Sequence, residues 1–488
     1  MSAQPPRLTG VPRFRIHPVR GLLALGCLGA VVLMAWFFTW RVGNSRAVRR
    51  AEAAIRQRGE PLTLADLAQR ERDIPADENA AAAMLDLWES EDPGFWRGFR
   101  SGKHPLPKQV ERRLDPVLKT VALDRPGLRR DQPLDPEIQS AADALLRERS
   151  GRLEAVRAAL RRPQARFPHR WMEGGAMQLP YLSAIRGEGM LFHLEALGAI
   201  ERGDVAAALG AFQSTVLLQR LLAEEPILIA QWVRLRLAGR LIHDLERLMT
   251  RVPLSPAQLA QVREVLLRLD LRDGLEPTMQ VERVLALGSF DLTDDTLSAV
   301  EAENGPDAEA TVIDPKQYRT GQKVLRALGL TDVDRRLMLE TLGEGVLIAK
   351  QGTPESVQKF EERFERADLE ARAFPPRIFS LLLLPSLSRA ATRFAEFEAQ
   401  RRAALTAVAV ERYRQEHQGR LPETLSELPL DPAELRVDPL DGAPMRFRRL
   451  SKGYEVYSVG GDRVDDGGRE KPAKGNVGNF DITFFVER

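Results

Sequence analysis

Cysteine is nearly absent from this chain: there is one, Cys27, among 488 residues. A single thiol excludes a disulfide framework and any Cys-x-x-Cys metal or redox site. Histidine is scarce too, limited to His17, His104, His169, His193, His243 and His417. None stands in a His-Glu-x-x-His pattern, so a helix-borne zinc hydrolase lacks its ligands. No Gly-x-Ser-x-Gly elbow and no Gly-x-x-x-x-Gly-Lys-Ser/Thr loop occurs, which leaves serine-hydrolase and P-loop chemistry without a starting point. A dominant sign of charge is also missing. The 71 basic and 69 acidic residues are interspersed, and the formal net charge is only +2. A pI of about 8.7 spread this evenly makes no basic face, and no nucleic-acid partner is expected. Arginine greatly outnumbers lysine, and no mechanism follows from that.

One long uncharged apolar run is present, Gly21 to Trp40. Twenty residues at the helical rise give about 30 Å, the thickness of a bilayer's hydrocarbon core. The run closes on Trp36, Phe37, Phe38 and Trp40, residues that settle at the membrane interface. Arg13, Arg15 and Arg20 precede it, and Arg41, Arg46, Arg49 and Arg50 follow. The run is too long for a signal peptide and has no Ala-x-Ala at its end, so it reads as an uncleaved single-pass anchor. A short basic N-terminus of this kind stays in the cytoplasm. The expected arrangement is a cytoplasmic tail over residues 1–20, a transmembrane anchor over 21–40, and an exported body. The membrane expected is a bacterial inner membrane, with the body in the periplasm.

The rest is long enough for two or three domains. Residues 45–393 read as a helical domain, an irregular bundle or α-solenoid. Leu145, Leu153, Val156 and Leu160 suit one helical face, and Leu217, Leu218, Leu221 and Leu222 suit another. Leu191 to Ala223 reads as two helices joined at Gly203-Asp204, with Ala207 and Ala208 allowing close approach, weakly like a tetratricopeptide hairpin. Ser255 and Pro256 open a further helix. Phe290 to Pro315 is acidic and aperiodic and reads as a long loop. Phe379 to Leu384 is apolar, stopped by Pro385 and too short to cross a bilayer, so a buried helix end is expected.

The text changes near residue 420, where Gly, Pro and Asp multiply. Residues 394–488 read as a small α+β domain. A helix from about Phe394 to His417 carries Leu405, Val408, Ala409, Arg412 and Tyr413 along one side. Strand-like runs follow at Met445–Arg448, Tyr454–Ser458 and Asp481–Val486, a three-stranded antiparallel sheet that can bury its apolar face on the helix.

In this region the order is Tyr413, Gly419-Arg420-Leu421-Pro422, Leu425, Leu428, Asp438-Pro439, Gly442, Tyr454 and Tyr457-Ser458. Gly460, Asp462, Gly467-Gly468 and Asp481-Ile482 follow. This order resembles the C-terminal domain of the major pseudopilins of type II secretion. The resemblance covers about residues 400–488. It implies a calcium ion held by Asp462 and Asp481, with Asp465 and Asp466 as further ligands. Calcium takes six to eight oxygens, and a glycine-rich loop lets carbonyls turn inward beside carboxylates. It also implies partners among envelope or secretion proteins. The Gly-Gly pair stands one residue further from Asp462 than in that family. Gly21 is followed by Leu22-Leu23-Ala24-Leu25-Gly26 without the glutamate that the family carries at the fifth position. The anchor is therefore read as a permanent tether and not a fibre-forming segment.

Two functions compete. The first is a non-enzymatic, membrane-anchored scaffold or adaptor of the cell envelope, its helical hairpins offering surfaces to proteins. The second is an envelope hydrolase working through a pair of converging carboxylates without a recognisable motif. His193 and His243, beside Glu195 and Asp244, are read as ordinary helical histidines. Trp171, Tyr181 and Trp232 are read as core packing.

Overall fold

The structure, a computed structural model, describes residues 18–93, 130–291, 324–374, 376–430, 433–470 and 480–488. The protein is mainly helical and ends in one small sheet. The stretch expected to be an acidic loop lies, apart from Phe290 and Asp291, outside the described residues.

Helix α1 (Pro18–Gln57) is unbroken. From Leu25 to Thr39 every residue is exposed, although the run is apolar. Beyond Trp40 the same helix begins to bury one face: Asn44, Val48 and Ile55 recur at helical spacing. That face packs on α11 (Leu330–Ala349). The long apolar helix expected over 21–40 is present. The apolar helix itself continues past residue 45 into the core.

Among the described residues the next helices are α2 (Leu64–Arg70), α3 (Ala80–Glu91), α4 (Pro136–Glu148) and α5 (Ser150–Leu160). Leu145, Leu153, Val156 and Leu160 are all buried, yet they lie on two helices, not one. The chain breaks at Arg149, whose φ of −95° and ψ of 8° leave the helical basin. The hairpin is as expected. α6 (Tyr181–Glu201) turns at Gly203, with φ +70°, into α7 (Val205–Arg220). Asp204 caps α7 by accepting from the Ala207 N–H at 3.0 Å, and Ala208 is fully buried at the helix contact.

α8 (Leu228–Arg251) leads to α9 (Pro256–Leu267). Ser255 and Gln258 form a reciprocal capping box with Pro256 at the first helical position. α10 (Leu275–Gly288), α11, α12 (Pro354–Arg372) and α13 (Ile378–Leu387) complete the body around the long α14 (Ala390–Glu416). Pro385 does not stop α13, which runs two residues further.

The strands β1 (Arg446–Leu450), β2 (Gly453–Ser458) and β3 (Ile482–Glu487) form an antiparallel sheet in chain order. It packs on α14, where the Tyr454 hydroxyl donates to the Ala407 carbonyl at 3.0 Å. Gly461 lies against Thr392 and Glu396 on that same side. The side carrying Leu405, Val408, Ala409, Arg412 and Tyr413 points elsewhere, into a shallow groove shared with Arg263, Leu430 and Leu435. α14 is buried nearly all round, so its apolar periodicity could not choose the sheet's face. β3 also lies on α8, where the Phe485 N–H donates to Glu246 at 2.7 Å.

One continuous apolar cluster holds Val48 and Ile55 of α1 together with Tyr454, Val456, Phe484 and Val486 of the sheet. This core crosses the division expected at residue 394. A second cluster gathers Trp88, Phe167 and Tyr181 under α2 to α6. Each fully buried aliphatic or phenyl side chain contributes about 1.5–3 kcal/mol.

Candidate functional site

Three places gather polar chemistry. The first is the junction of α1 with the body. Trp36 and Trp40 stack at a centroid distance of 6.3 Å, and Arg41 follows at once. Arg41 donates to the Ala327 carbonyl at 2.9 Å. Gly329 has φ +71°, and a Cβ there would come within 2.9 Å of the Arg41 side chain, so this approach requires glycine. Further along, Arg335 pairs with Glu52 at 3.1 Å and Arg336 donates to Asn44 at 3.4 Å. The body therefore grips α1 from the residue after Trp40 onward.

The second place is a buried histidine. His169 stands in the connection between α5 and α6, with its side chain almost wholly enclosed. Its Nδ1 is 2.9 Å from Glu71, which ends α2, and its Nε2 is 2.6 Å from Glu225, in the turn after α7. Trp171 donates to the same Glu71 oxygen at 2.8 Å, and the Tyr181 hydroxyl donates to Glu225 at 2.9 Å. Phe167 stacks on Tyr181 at 4.0 Å, and His169 on Trp171 at 4.5 Å.

Burial alone would depress the pKa of His169. The charges and hydrogen bonds of Glu225 and Glu71 outweigh burial and raise it to about 9. Burial likewise pushes Glu71 upward, but its bonds from His169 and Trp171 bring it below the usual carboxylate value. Burial and the Glu225 charge push the Tyr181 phenol well up. At neutral pH this is a histidinium with both N–H groups donated to carboxylates. A general base needs a free lone pair, which this ring does not have. The arrangement pins three connections together.

The third place is the C-terminal module. Asp438, fully buried, accepts from the Leu440 N–H at 2.9 Å, the Ser458 hydroxyl at 2.8 Å and the Val459 N–H at 3.1 Å. Arg446 completes the shell at 2.6 Å. Burial pushes the Asp438 carboxyl up against these hydrogen bonds.

The four aspartates of the expected calcium loop lie nearby, and the carboxylates of Asp462, Asp465 and Asp481 are engaged by the loop's own backbone. Asp481 accepts from Gly468 at 2.7 Å, Arg469 at 3.2 Å and Asp466 at 3.4 Å. Asp465 accepts from Gly467 at 2.9 Å and stands 3.6 Å from Arg446, while Asp462 accepts from Val464 at 3.2 Å. Asp466 keeps one buried oxygen without a hydrogen-bond partner. Gly468 has φ +77°, and a Cβ there would fall 2.1 Å from a Glu455 oxygen. Among the described residues, no three acidic or histidine side chains gather as a metal cage. Asp462, Asp465 and Asp481 thus act as acceptors for turn amides. Residues 471–479 of the same loop lie outside the described residues.

His193 does not pair with its sequence neighbour Glu195 but reaches Asp244 of α8 at 2.7 Å, while Glu195 pairs with Arg157. His243 faces outward with Glu246 at 3.8 Å. Sequence reasoning singled out Trp171 and Tyr181 but missed Glu71, His169 and Glu225. The one available signal was the crowding of Phe167, His169 and Trp171 in a chain with 6% aromatics. Comparison of the chain with protein-family models, curated proteins and solved structures finds no match.

Proposed function

We propose that this chain is a non-enzymatic, single-pass scaffold or adaptor of a bacterial cell envelope, tethered in the inner membrane with its body exported. Its C-terminal module, similar in residue order to that of the pseudopilins, is read as a docking part for envelope or secretion proteins. One observation carries the reading. α1 exposes an apolar half from Leu25 to Thr39 and buries its other half in the core at Val48 and Ile55. Such a helix is stable only if something other than water surrounds the first half, since this much contiguous apolar surface is not left in solvent. An unbroken helix joins tether and body without a hinge, as suits a part that holds others in place. The meeting of Glu71 and Glu225 on one histidinium favours the scaffold over the hydrolase, because neither carboxylate is left opposite the other across a cleft.

Membrane preparations washed with alkaline carbonate test the tether. The expected result is a chain that leaves the membrane only with detergent; release by the wash overturns the reading. Orientation is tested with Met172→Cys, an exposed site, in a Cys27→Ser background. A membrane-impermeant maleimide should label it in intact spheroplasts. Labelling only after lysis would put the body in the cytoplasm. Pull-down from detergent extracts then tests for envelope partners, and a chain that recovers none under native conditions counts against the adaptor role.

A further inference from the structure

The expected buried helix end, Phe379 to Leu384, is not buried on all sides. α13 exposes Ile378 (43%) and Leu382 (63%), one turn apart on one face. From these residues the geometry points to α13 as a second membrane contact that lies on the bilayer surface beside the foot of α1. The inference rests on the tether proposed above.

The location of α13 follows from a short series of contacts. Arg41, directly after the interfacial Trp40, is bonded to the Ala327 carbonyl, and Gly329 packs on its side chain. Gly329 starts α11, and Asp334, one turn inside α11, accepts the first amides of α13. These are Phe379 N–H at 2.8 Å and Ser380 N–H at 3.1 Å. From the other side, Phe379 packs on Phe290 at 4.6 Å, and the Phe290 carbonyl is bonded by Arg326, next to Ala327. The first turn of α13 is thus held at the end of the body that meets Trp40 and Arg41. Exposed apolar residues collect there: Val324 (52%), Leu328 (44%) and Leu369 (67%) join Ile378 and Leu382. Leu369 belongs because Arg377, the residue before α13, bonds the adjacent Glu370 carbonyl at 2.6 Å.

An apolar patch at the level where a transmembrane helix leaves the bilayer faces the boundary between headgroups and acyl chains. A ten-residue helix, Ile378–Leu387, cannot cross the bilayer and lies in its plane. Each leucine-sized side chain that enters the acyl boundary loses its contact with water, as it does in a core. Two contacts, one crossing and one lying flat, would fix the tilt of the body on the membrane.

The test uses the full chain in lipid nanodiscs, with a bimane probe on one cysteine at a time. Cys27 itself reports on α1. In a Cys27→Ser background, Leu382→Cys reports on α13. Leu347→Cys is the control: it is exposed (44%) and lies about 26 Å further along α11 from the membrane end. Nitroxide-bearing lipids should quench Cys27 and Leu382→Cys several-fold more strongly than aqueous iodide does, with the reverse at Leu347→Cys. Quenching of Cys27 by lipid with Leu382→Cys open to iodide overturns this inference and leaves the tether standing. Failure of lipid to quench Cys27 overturns the tether. A Leu382→Cys probe shielded from both quenchers means that protein covers the patch, residues 292–323 or a second copy, and also overturns the inference.

Discussion

The Nε2 of His169 stands 2.6 Å from Oε2 of Glu225, a residue 56 positions later, deep between three connections of the helical body. This contact makes the stability of the body depend on pH in the alkaline direction. The folded-state pKa of about 9 is above the ordinary value of 6.5, so folding favours the protonated ring. The stabilisation is complete below about pH 6.5 and is lost as pH rises through about 9. A shift of this size is worth on the order of 3 kcal/mol. Melting of the detergent-solubilised chain should show a midpoint that falls across this window. His169→Gln should melt lower at neutral pH and lose most of that dependence. An equal alkaline slope in the variant would assign it to other groups.

Ile55, 2% exposed, ties α1 into the core, whereas Leu33, 66% exposed, does not touch it. Ile55→Ala should destabilise the body by about 2–5 kcal/mol. Leu33→Ala should leave denaturant unfolding in micelles unchanged. Equal effects at both positions would mean that the two halves of α1 do not differ as described.

Asp438 holds the start of the sheet through four donors. Asp438→Ala strands the Leu440 and Val459 N–H groups, while Arg446 keeps Asp441, and should cost about 1–3 kcal/mol for each stranded amide. Ser458→Ala removes one donor and should cost about 1 kcal/mol. Because the core is continuous from α1 to β3, unfolding should remain a single transition in both variants. A separate early transition of the C-terminal residues would contradict that continuity.

Asp481 accepts three loop amides, so Asp481→Asn should lower stability by about 1–3 kcal/mol. The loss should be the same in millimolar calcium and in chelator. If calcium raises the melting midpoint of the unaltered chain and not of the variant, the aspartates hold a cation, as the pseudopilin resemblance implies.

The features legible in the residues were those set by local or bulk physics. An uncharged run as long as a bilayer is thick is expected to be a helix whatever follows it. The Gly203-Asp204 turn, the Ser255 cap and the three short strands rest on neighbours within a few positions, and all form where the pattern put them. Other features depend on partners far along the chain, and no periodicity reports them. Glu71, His169 and Glu225 meet only because three connections converge, and each looks like an ordinary polar residue in its own segment. The sheet lies on the side of α14 opposite Leu405 and Arg412, because a helix buried all round has no apolar stripe to mark a preferred face. α13 looked like core from its composition, but burial depends on what stands opposite. Only the placement of Asp334 and Phe290 around it shows that Leu382 faces outward beside the foot of α1. Composition specifies that a segment avoids water; the packing of distant elements selects whether protein or, as proposed for α1 and inferred for α13, lipid surrounds it.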